Sequence, residues 1–407
     1  MNSCDRINTK YLYKNKYSEE FIEFESKDYL KKDSLKTIIV KDGMILPLKK
    51  VHGGPLMGVG GVLDQSGNYV EQSAQIGKGD TLPRFCGKYD YDENNVAYLD
   101  ETVIYIGAFP MHWGHFLVDM AYRFWYFDEC ASINKVVYCS EKDEISGVYA
   151  EFLALLGIPG DKLFRITIPT RVREIIVPEQ GYMACDYFTI EYKDVFKKVV
   201  ASVREDSLVS YDKVYMSRGH FKDAKAKEIG ERNIEKNFAE NGYKILYMEE
   251  LSLREQIFYI NHAKKIAALS GTLCHNVVFA NPEAELIILN KTHIINTHQV
   301  LIDQMMDINV YYVDVYIEPF RKFPVSYGEG PFWVSCSKLK DFFGDNGMLL
   351  NNEGIFTKMK NGVKYITMCM GIVLYDLYSR LYYKICEFPV IIKMLRKIRL
   401  AVTKSNN

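Results

Sequence analysis

The chain carries almost no net charge: 51 Lys and Arg stand against 52 Asp and Glu in 407 residues, a formal −1 with a pI of about 6.7. Without a basic excess there is no electrostatic footprint for the phosphate backbone of a nucleic acid, and nothing argues for that partner. Paired cysteines are also missing. Nine are scattered from Cys4 to Cys386, none in a C-x-x-C pair and none at a Cys/His spacing that suits zinc. An odd, dispersed set reads as reduced thiols in a cytosolic protein, not as a disulfide framework. The N-terminus, MNSCDRINTKYLYKNKYSEE, lacks the apolar core that a secretory signal peptide needs. Nor is there a clean span of about twenty apolar residues. Asp376 and Arg380 interrupt one apolar run near the C-terminus, and Pro389 interrupts the next.

What is present is an alternation of strand-like and helix-like segments, clearest over residues 213–290. Apolar runs at 214–216, 243–248, 266–269 and 286–289 are separated by segments with polar faces. This spacing predicts a parallel sheet with helices packed on it. In such a sheet, functional residues gather where strands end and the next helices begin. Ser217-Arg218 falls just past the first of these strands and Ser270-Gly271-Thr272 just past the third. Gly271 permits a tight turn, and Ser270 or Thr272 is placed to cap the following helix. Free N–H groups at a helix start favour a phosphate, and a nearby guanidinium grips one bidentately, so the pair reads as a pyrophosphate site. Glu249 and Glu250, past the second strand, are placed to bind ribose hydroxyls.

The first half repeats the alternation. The strand TVIYIGAF reaches Pro110, and MHWGHFLVDMAYRFWYFDE then begins a helix that places His115 and Asp119 at i and i+4, on one face. A carboxylate beside an imidazole fixes its tautomer and raises its basicity, which suits a general base; a histidine packed under an aromatic helix has the same spacing. His112, one turn earlier, is the second candidate, and Trp113 is either a sugar-stacking surface or core. The glycine-rich stretch 52–87 predicts hairpins. Its GVGG run has no preceding parallel strand and no following helix, so it is not read as a dinucleotide loop. Asp90-Tyr91-Asp92 has no strand leading into it and reads as a solvated loop, not a metal-binding D-x-D. An amphipathic helix, TIEYKDVFKKVVASV, leads to a linker at about residues 200–212.

Four motifs in one order resemble those of the family 61 glycosyltransferases, which include bacterial capsule and surface-polysaccharide enzymes. They are Y-x-S-R (Tyr215, Ser217, Arg218), a helix start at Arg232, Asn233, Ile234 and Glu235, an E-x-L-S-x-x-E-Q run (Glu249, Leu251, Ser252, Glu255, Gln256), and a G-x-x-x-x-N-x-x-F turn (Gly271, Asn276, Phe279). Where many members read H-G-A-G-L-T-N, this chain reads Ser270-Gly271-Thr272-Leu273-Cys274-His275-Asn276, so no role of that first histidine carries over. The patterns and the resemblance together imply an α/β protein of GT-B type, two Rossmann-type domains facing across a cleft with a C-terminal helical tail. The expected division is a lead-in segment at 1–50, an acceptor-side domain at 51–204, a nucleotide-sugar domain at 205–347, and a tail at 348–407.

The implied activity is transfer of a sugar from a nucleotide-sugar, expected to be a UDP-sugar, to a glycan or lipid-linked acceptor in capsular or other surface-polysaccharide synthesis. The resemblance implies inversion at the anomeric carbon, and no metal is indicated. In this reading His115 is the base and Asp119 its orienter. The donor side is Ser217, Arg218, Glu249, Glu250, Ser270, Gly271, Thr272, His275 and Asn276. A polysaccharide pyruvyl transferase on the same architecture and a non-catalytic carbohydrate-binding scaffold are the alternatives. The tail from 365 onward mixes apolar runs with Arg380, Lys384, Lys393, Arg396, Lys397 and Arg399, a pattern that fits either a helix lying on an anionic, cytoplasmic-side membrane surface or a C-terminal helix docked across both domains with its basic end solvated.

Overall fold

Strands form where β-branched and aromatic residues run together, and the two longest, TIIVKDGMILPLK and AYLDETVIYIGA, anchor the first of two six-stranded sheets. The computed structural model describes residues 6–53, 56–77, 82–129, 135–140, 144–204, 207–220, 228–294 and 296–386. In chain order the first half holds β1 (Ile7–Tyr11), α1 (Lys16–Glu25), β2 (Thr37–Lys49), β3 (Val59–Leu63), β4 (Ala97–Ala108), α2 (Trp113–Asp119), β5 (Lys135–Cys139), α3 (Gly147–Leu155), β6 (Leu163–Ile166), β7 (Thr170–Pro178) and α4 (Ile190–Ala201). The second half holds β8 (Lys213–Ser217), α5 (Glu231–Glu240), β9 (Lys244–Tyr247), α6 (Leu253–His262), β10 (Lys265–Leu269), α7 (Thr272–His275), β11 (Glu285–Asn290), α8 (Thr297–Met306), β12 (Asn309–Asp314), α9 (Lys340–Asp345) and α10 (Ile355–Cys386).

The second sheet is parallel throughout, in the order β9-β8-β10-β11-β12-β1. All four strands read from residues 213–290 are in it. Strand order reverses between β8 and β10, and in open parallel sheets the ligand crevice lies outside the carboxyl ends at such a reversal. The sheet thereby sets Ser217-Arg218 beside Ser270-Gly271, since Met216 and Ala268 are paired neighbours.

The first sheet is mixed, in the order β3-β2-β7-β4-β5-β6, with β2 antiparallel to both neighbours and the last four strands parallel. It curls as a half-barrel: Cys139 Sγ on β5 reaches the carbonyl of Leu46 on β2 at 3.6 Å, across two intervening strands. The GVGG run forms β3, the returning strand of a hairpin with β2. A Cβ at Gly60 would stand 2.7 Å from the Phe85 ring, so close packing accounts for that glycine. The Asp90-Tyr91-Asp92 stretch is a loop, in which Asp92 Oδ1 accepts from the Asn94 backbone at 2.9 Å.

Three features depart from the sequence-based expectation. The helix begun after Pro110 stops at Asp119; Met120 leaves the helical region at φ −133°, and residues Ala121–Asp128 continue as a 3₁₀ turn. Burial on every side of AYRFWYFD, including a fully buried Arg123, decides that geometry over helix propensity. The lead-in segment divides between the sheets. β2 belongs to the first, whereas β1 pairs with β12 at the edge of the second and Tyr13 N donates to Asp314 Oδ2 at 2.7 Å. Finally, the two halves share a core. Phe152 and Phe196 of the first half meet Phe279 of the second at ring-centroid distances of 6.3 and 6.1 Å, and Glu151 on α3 pairs with Arg254 on α6. The expected linker follows α4, with residues 205 and 206 outside the described residues.

Candidate active site

At the carboxyl end of β4 the chain turns through Pro110 and starts α2. His112 is its N-cap, in extended conformation, with its Nδ1 3.4 Å from the His115 backbone N–H. One turn on, His115 Nδ1 lies 2.7 Å from Asp119 Oδ2, so the i,i+4 pair expected from spacing is formed. Asp119 is buried, and its other oxygen, Oδ1, forms an ion pair with Arg84, 3.0 Å from Nε. Burial alone would push its carboxyl up; the hydrogen bond from His115 and the charge of Arg84 outweigh that and hold it below the usual carboxylate range. An ionised Asp119 requires the proton of His115 to sit on Nδ1, which leaves Nε2 as the acceptor.

Three more imidazoles gather here. The His112 and His115 ring centroids are 4.8 Å apart, and His298 lies 6.4 Å from His115 and 6.3 Å from His275. Burial lowers His112, with the nearby charges of His115 and Arg218 adding to the effect. Gly114 at the start of α2 packs against Thr272 of α7, and β8, which leads to Arg218, is the sheet neighbour of the β10 strand from which α7 follows. Burial brings His275 down to about 4 and His298 to about 3, so both are neutral at physiological pH. His298 Nδ1 lies 2.8 Å from the Tyr182 hydroxyl.

His275 is held from behind. Its Nδ1 is 2.9 Å from Gln299 Oε1, Gln299 Nε2 donates to Asp303 Oδ1 at 2.7 Å, and the Tyr312 hydroxyl donates to Asp303 Oδ2 at 2.6 Å. Because the amide nitrogen is committed to the carboxylate, its oxygen must accept, and His275 carries its proton on Nδ1. Burial raises Asp303 to about 7. A carboxyl raised in the native state contributes stability that is full below its unfolded pKa of about 4 and is lost as pH rises through 7. Asp303→Asn removes this titration. The expected outcome is a shallower fall in melting temperature between pH 5 and 8 than in the parent protein, measured by calorimetry across that range; an identical slope would contradict it.

The donor-side residues expected from the sequence are found in different situations. Ser217 is fully buried; its hydroxyl donates to Glu235 and accepts from Gly219 N at 2.8 Å, so it shapes the loop that carries the half-buried Arg218. Ser270 is buried and accepts from Lys291 N at 3.1 Å, and the cap position of α7 is Gly271, with no side-chain cap. α7 itself is a single turn, Thr272–His275, so the helix start there offers little of the dipole on which the sequence argument relied. Asn276 is buried, with Oδ1 taking the Trp113 indole N–H at 2.7 Å. Trp113 stacks on Phe116 and is partly buried against the core. Glu249 and Glu250 are exposed in the turn after β9, where Glu250 Oε1 lies 2.6 Å from His220 Nδ1 and His220 stacks on Tyr247. Gly114 brings α2 against α7: a Cβ there would lie 3.1 Å from Thr272 and 3.2 Å from His275.

Arg84, Tyr182, His298, Gln299 and Asp303 were not legible beforehand. Each reaches the site from an element remote in sequence, and none sits in a spaced motif. Among the described residues no group of three or more His, Cys, Asp and Glu side chains converges as a metal site.

The imidazole–carboxylate pair on α2 thus packs beside α7, which follows β10 at the strand-order reversal of the second sheet. Residues 113–287 match the Glycosyltransferase 61 family model, a region that runs from the start of α2 into β11 and includes His115, Asp119, Arg218 and His275. The match supports a glycosyltransferase in general. No curated protein matches the chain.

Proposed function

We propose that the protein transfers a sugar from a nucleotide-sugar, with UDP as the expected nucleotide, to a glycan or lipid-linked acceptor in surface-polysaccharide synthesis. The acceptor side is the first sheet and the donor side the second, a GT-B-like division of labour. The observation that carries this reading is the His115–Asp119 pair on α2, packed through Gly114 against α7 of the second sheet, within a Glycosyltransferase 61 match. His115 Nε2 takes the proton of the acceptor hydroxyl as its oxygen bonds to the anomeric carbon. The bond from that carbon to the donor phosphate breaks, and the electron pair leaves with the nucleoside diphosphate, whose charge Arg218 stabilises. Attack from the face opposite the leaving group inverts the anomeric centre. The steps use no metal. A thermal-stability panel of nucleoside diphosphates and their sugars tests the donor assignment: one of them at a hundred times its Kd should add about 2.7 kcal/mol, and no stabilisation by any of them would overturn it.

The tail extends this reading to a membrane surface. α10 touches the body through Tyr365 and Cys369, against Ile229 and Phe323. Beyond them Ile372, Val373, Leu374, Tyr375, Leu377, Tyr378, Leu381 and Tyr382 are all exposed, with Asp376 and Arg380 paired at 2.9 Å. No helix among the described residues is long and apolar enough to cross a membrane. An apolar helix surface followed by Lys393, Arg396, Lys397 and Arg399, which lie outside the described residues as does the Lys384 side chain, supports contact with an anionic bilayer. The full chain should sediment with anionic vesicles, each basic group adding about 1 kcal/mol and salt weakening it. Equal sedimentation by a chain lacking residues 365–407 would contradict this.

A further inference from the structure

Lys291 follows β11 directly and was not among the residues expected to bind the donor. Leu269 and Leu289 are paired neighbours on β10 and β11, so the residues two positions further on, Gly271 and Lys291, emerge side by side. Lys291 N donates to Ser270 Oγ at 3.1 Å, which locks the two strand ends together. The side chain is only 7% exposed, and its Nζ lies 2.8 Å from Glu228 Oε1 and 4.3 Å from the Phe332 ring centroid.

What points this ammonium toward a ligand is Gly271. That residue has φ +150°, and a Cβ built on it would have Lys291 Nζ at 3.7 Å and no other atom within 4 Å. A side chain here would contact the ammonium, and φ +150° is a conformation that L residues rarely adopt; glycine leaves the ammonium uncovered on this side. A buried Lys–Glu pair is itself a poor source of stability, since desolvation costs about as much as the attraction returns. The local charge is also less negative than three acidic residues suggest. Burial, with Glu228 and Glu235 nearby, raises Glu231 to about 8, so it is mainly protonated at neutral pH.

We propose that Lys291 is a second cationic contact for the diphosphate of the donor, reaching it across the open face of Gly271 while Arg218 grips from beyond β8. The proposal rests on the donor reading above and adds a residue to it. Its consequence is that the leaving diphosphate is held by cations on both sides of the strand-order reversal, where the charge develops during transfer.

The test is calorimetric titration of the folded full-length protein with UDP, GDP and ADP and with the matching nucleosides. Lys291→Met should weaken binding of the preferred diphosphate by 10- to 100-fold and leave its nucleoside unchanged. Lys291→Arg should retain most of the diphosphate affinity. Glu228→Gln, which removes the competing carboxylate, should raise diphosphate affinity several-fold; this variant also decides the matter if Lys291→Met does not fold. Unchanged diphosphate affinity in Lys291→Met, equal losses for diphosphate and nucleoside, or unchanged or weakened diphosphate binding by Glu228→Gln would each overturn the assignment. If Arg218→Ala weakens diphosphate binding while Lys291→Met does not, the donor site stands and Lys291 is structural. If the parent protein binds none of the diphosphates, the donor reading fails and this inference with it.

Discussion

Replacing His115 by alanine is expected to lower turnover by about 10²–10⁴-fold, the usual contribution of a positioned base, with donor affinity unchanged. Asp119→Asn should act in the same direction, because an amide does not stabilise the imidazolium that forms. The double variant should be little worse than His115→Ala, since residues that act as one unit are not additive. Asp119 has a second duty that separates the two single variants. It also pairs with the half-buried Arg84 at 3.0 Å, and removing the carboxylate charge leaves that guanidinium uncompensated. Asp119→Asn should therefore lower the melting temperature more than His115→Ala does, whose imidazole is the more exposed member of its pair. Turnover and melting measured on the same samples check both statements. Near-normal turnover for folded His115→Ala would retire the pair and move the base to His112, His275 or His298.

Arg218→Ala carries the second large effect. A hydrogen bond to a charged group contributes about 1.5–3 kcal/mol, so nucleoside diphosphate affinity should fall by roughly 10- to 150-fold. Ser217, just before Arg218, is bonded to Glu235, and a melting temperature taken on the same samples separates lost binding from lost fold. The loss should exceed that for Glu250→Ala, whose carboxylate is exposed in the turn beyond β9 and engaged with His220. Calorimetry on folded protein decides between them. Unchanged affinity would make Arg218 structural and place the diphosphate elsewhere.

The second sheet was legible because buried parallel strands are continuous apolar runs, and VYM, IAAL and LIIL read that way without tertiary information. The i,i+4 pair was legible for the same reason: helix spacing is local. What local patterns do not carry is pairing over long separations. β1 is a five-residue strand whose partner lies about three hundred residues on, and nothing in INTKY announces it. Arg84 meets Asp119 from a stretch with no periodic pattern, and the relay behind His275 joins α8 to β12. Lys291 carries no local signal, because a lysine after a strand is ordinarily a solvated end; its burial depends on Glu228 and Phe332, each contributed by another segment. Ser270 was read as a cap, and instead bonds to the backbone of the neighbouring strand end, a contact that only the sheet creates.

The most direct test is release of nucleoside diphosphate from a panel of nucleotide-sugars, with surface-glycan extracts as acceptors, by the parent protein beside His115→Ala and Arg218→Ala. One sugar donor should be turned over by the parent, at about 10²–10⁴-fold lower rate by His115→Ala, and with a raised donor requirement by Arg218→Ala. Turnover of a donor that neither substitution alters would contradict the site, and the absence of turnover with every donor and extract would contradict the transferase itself.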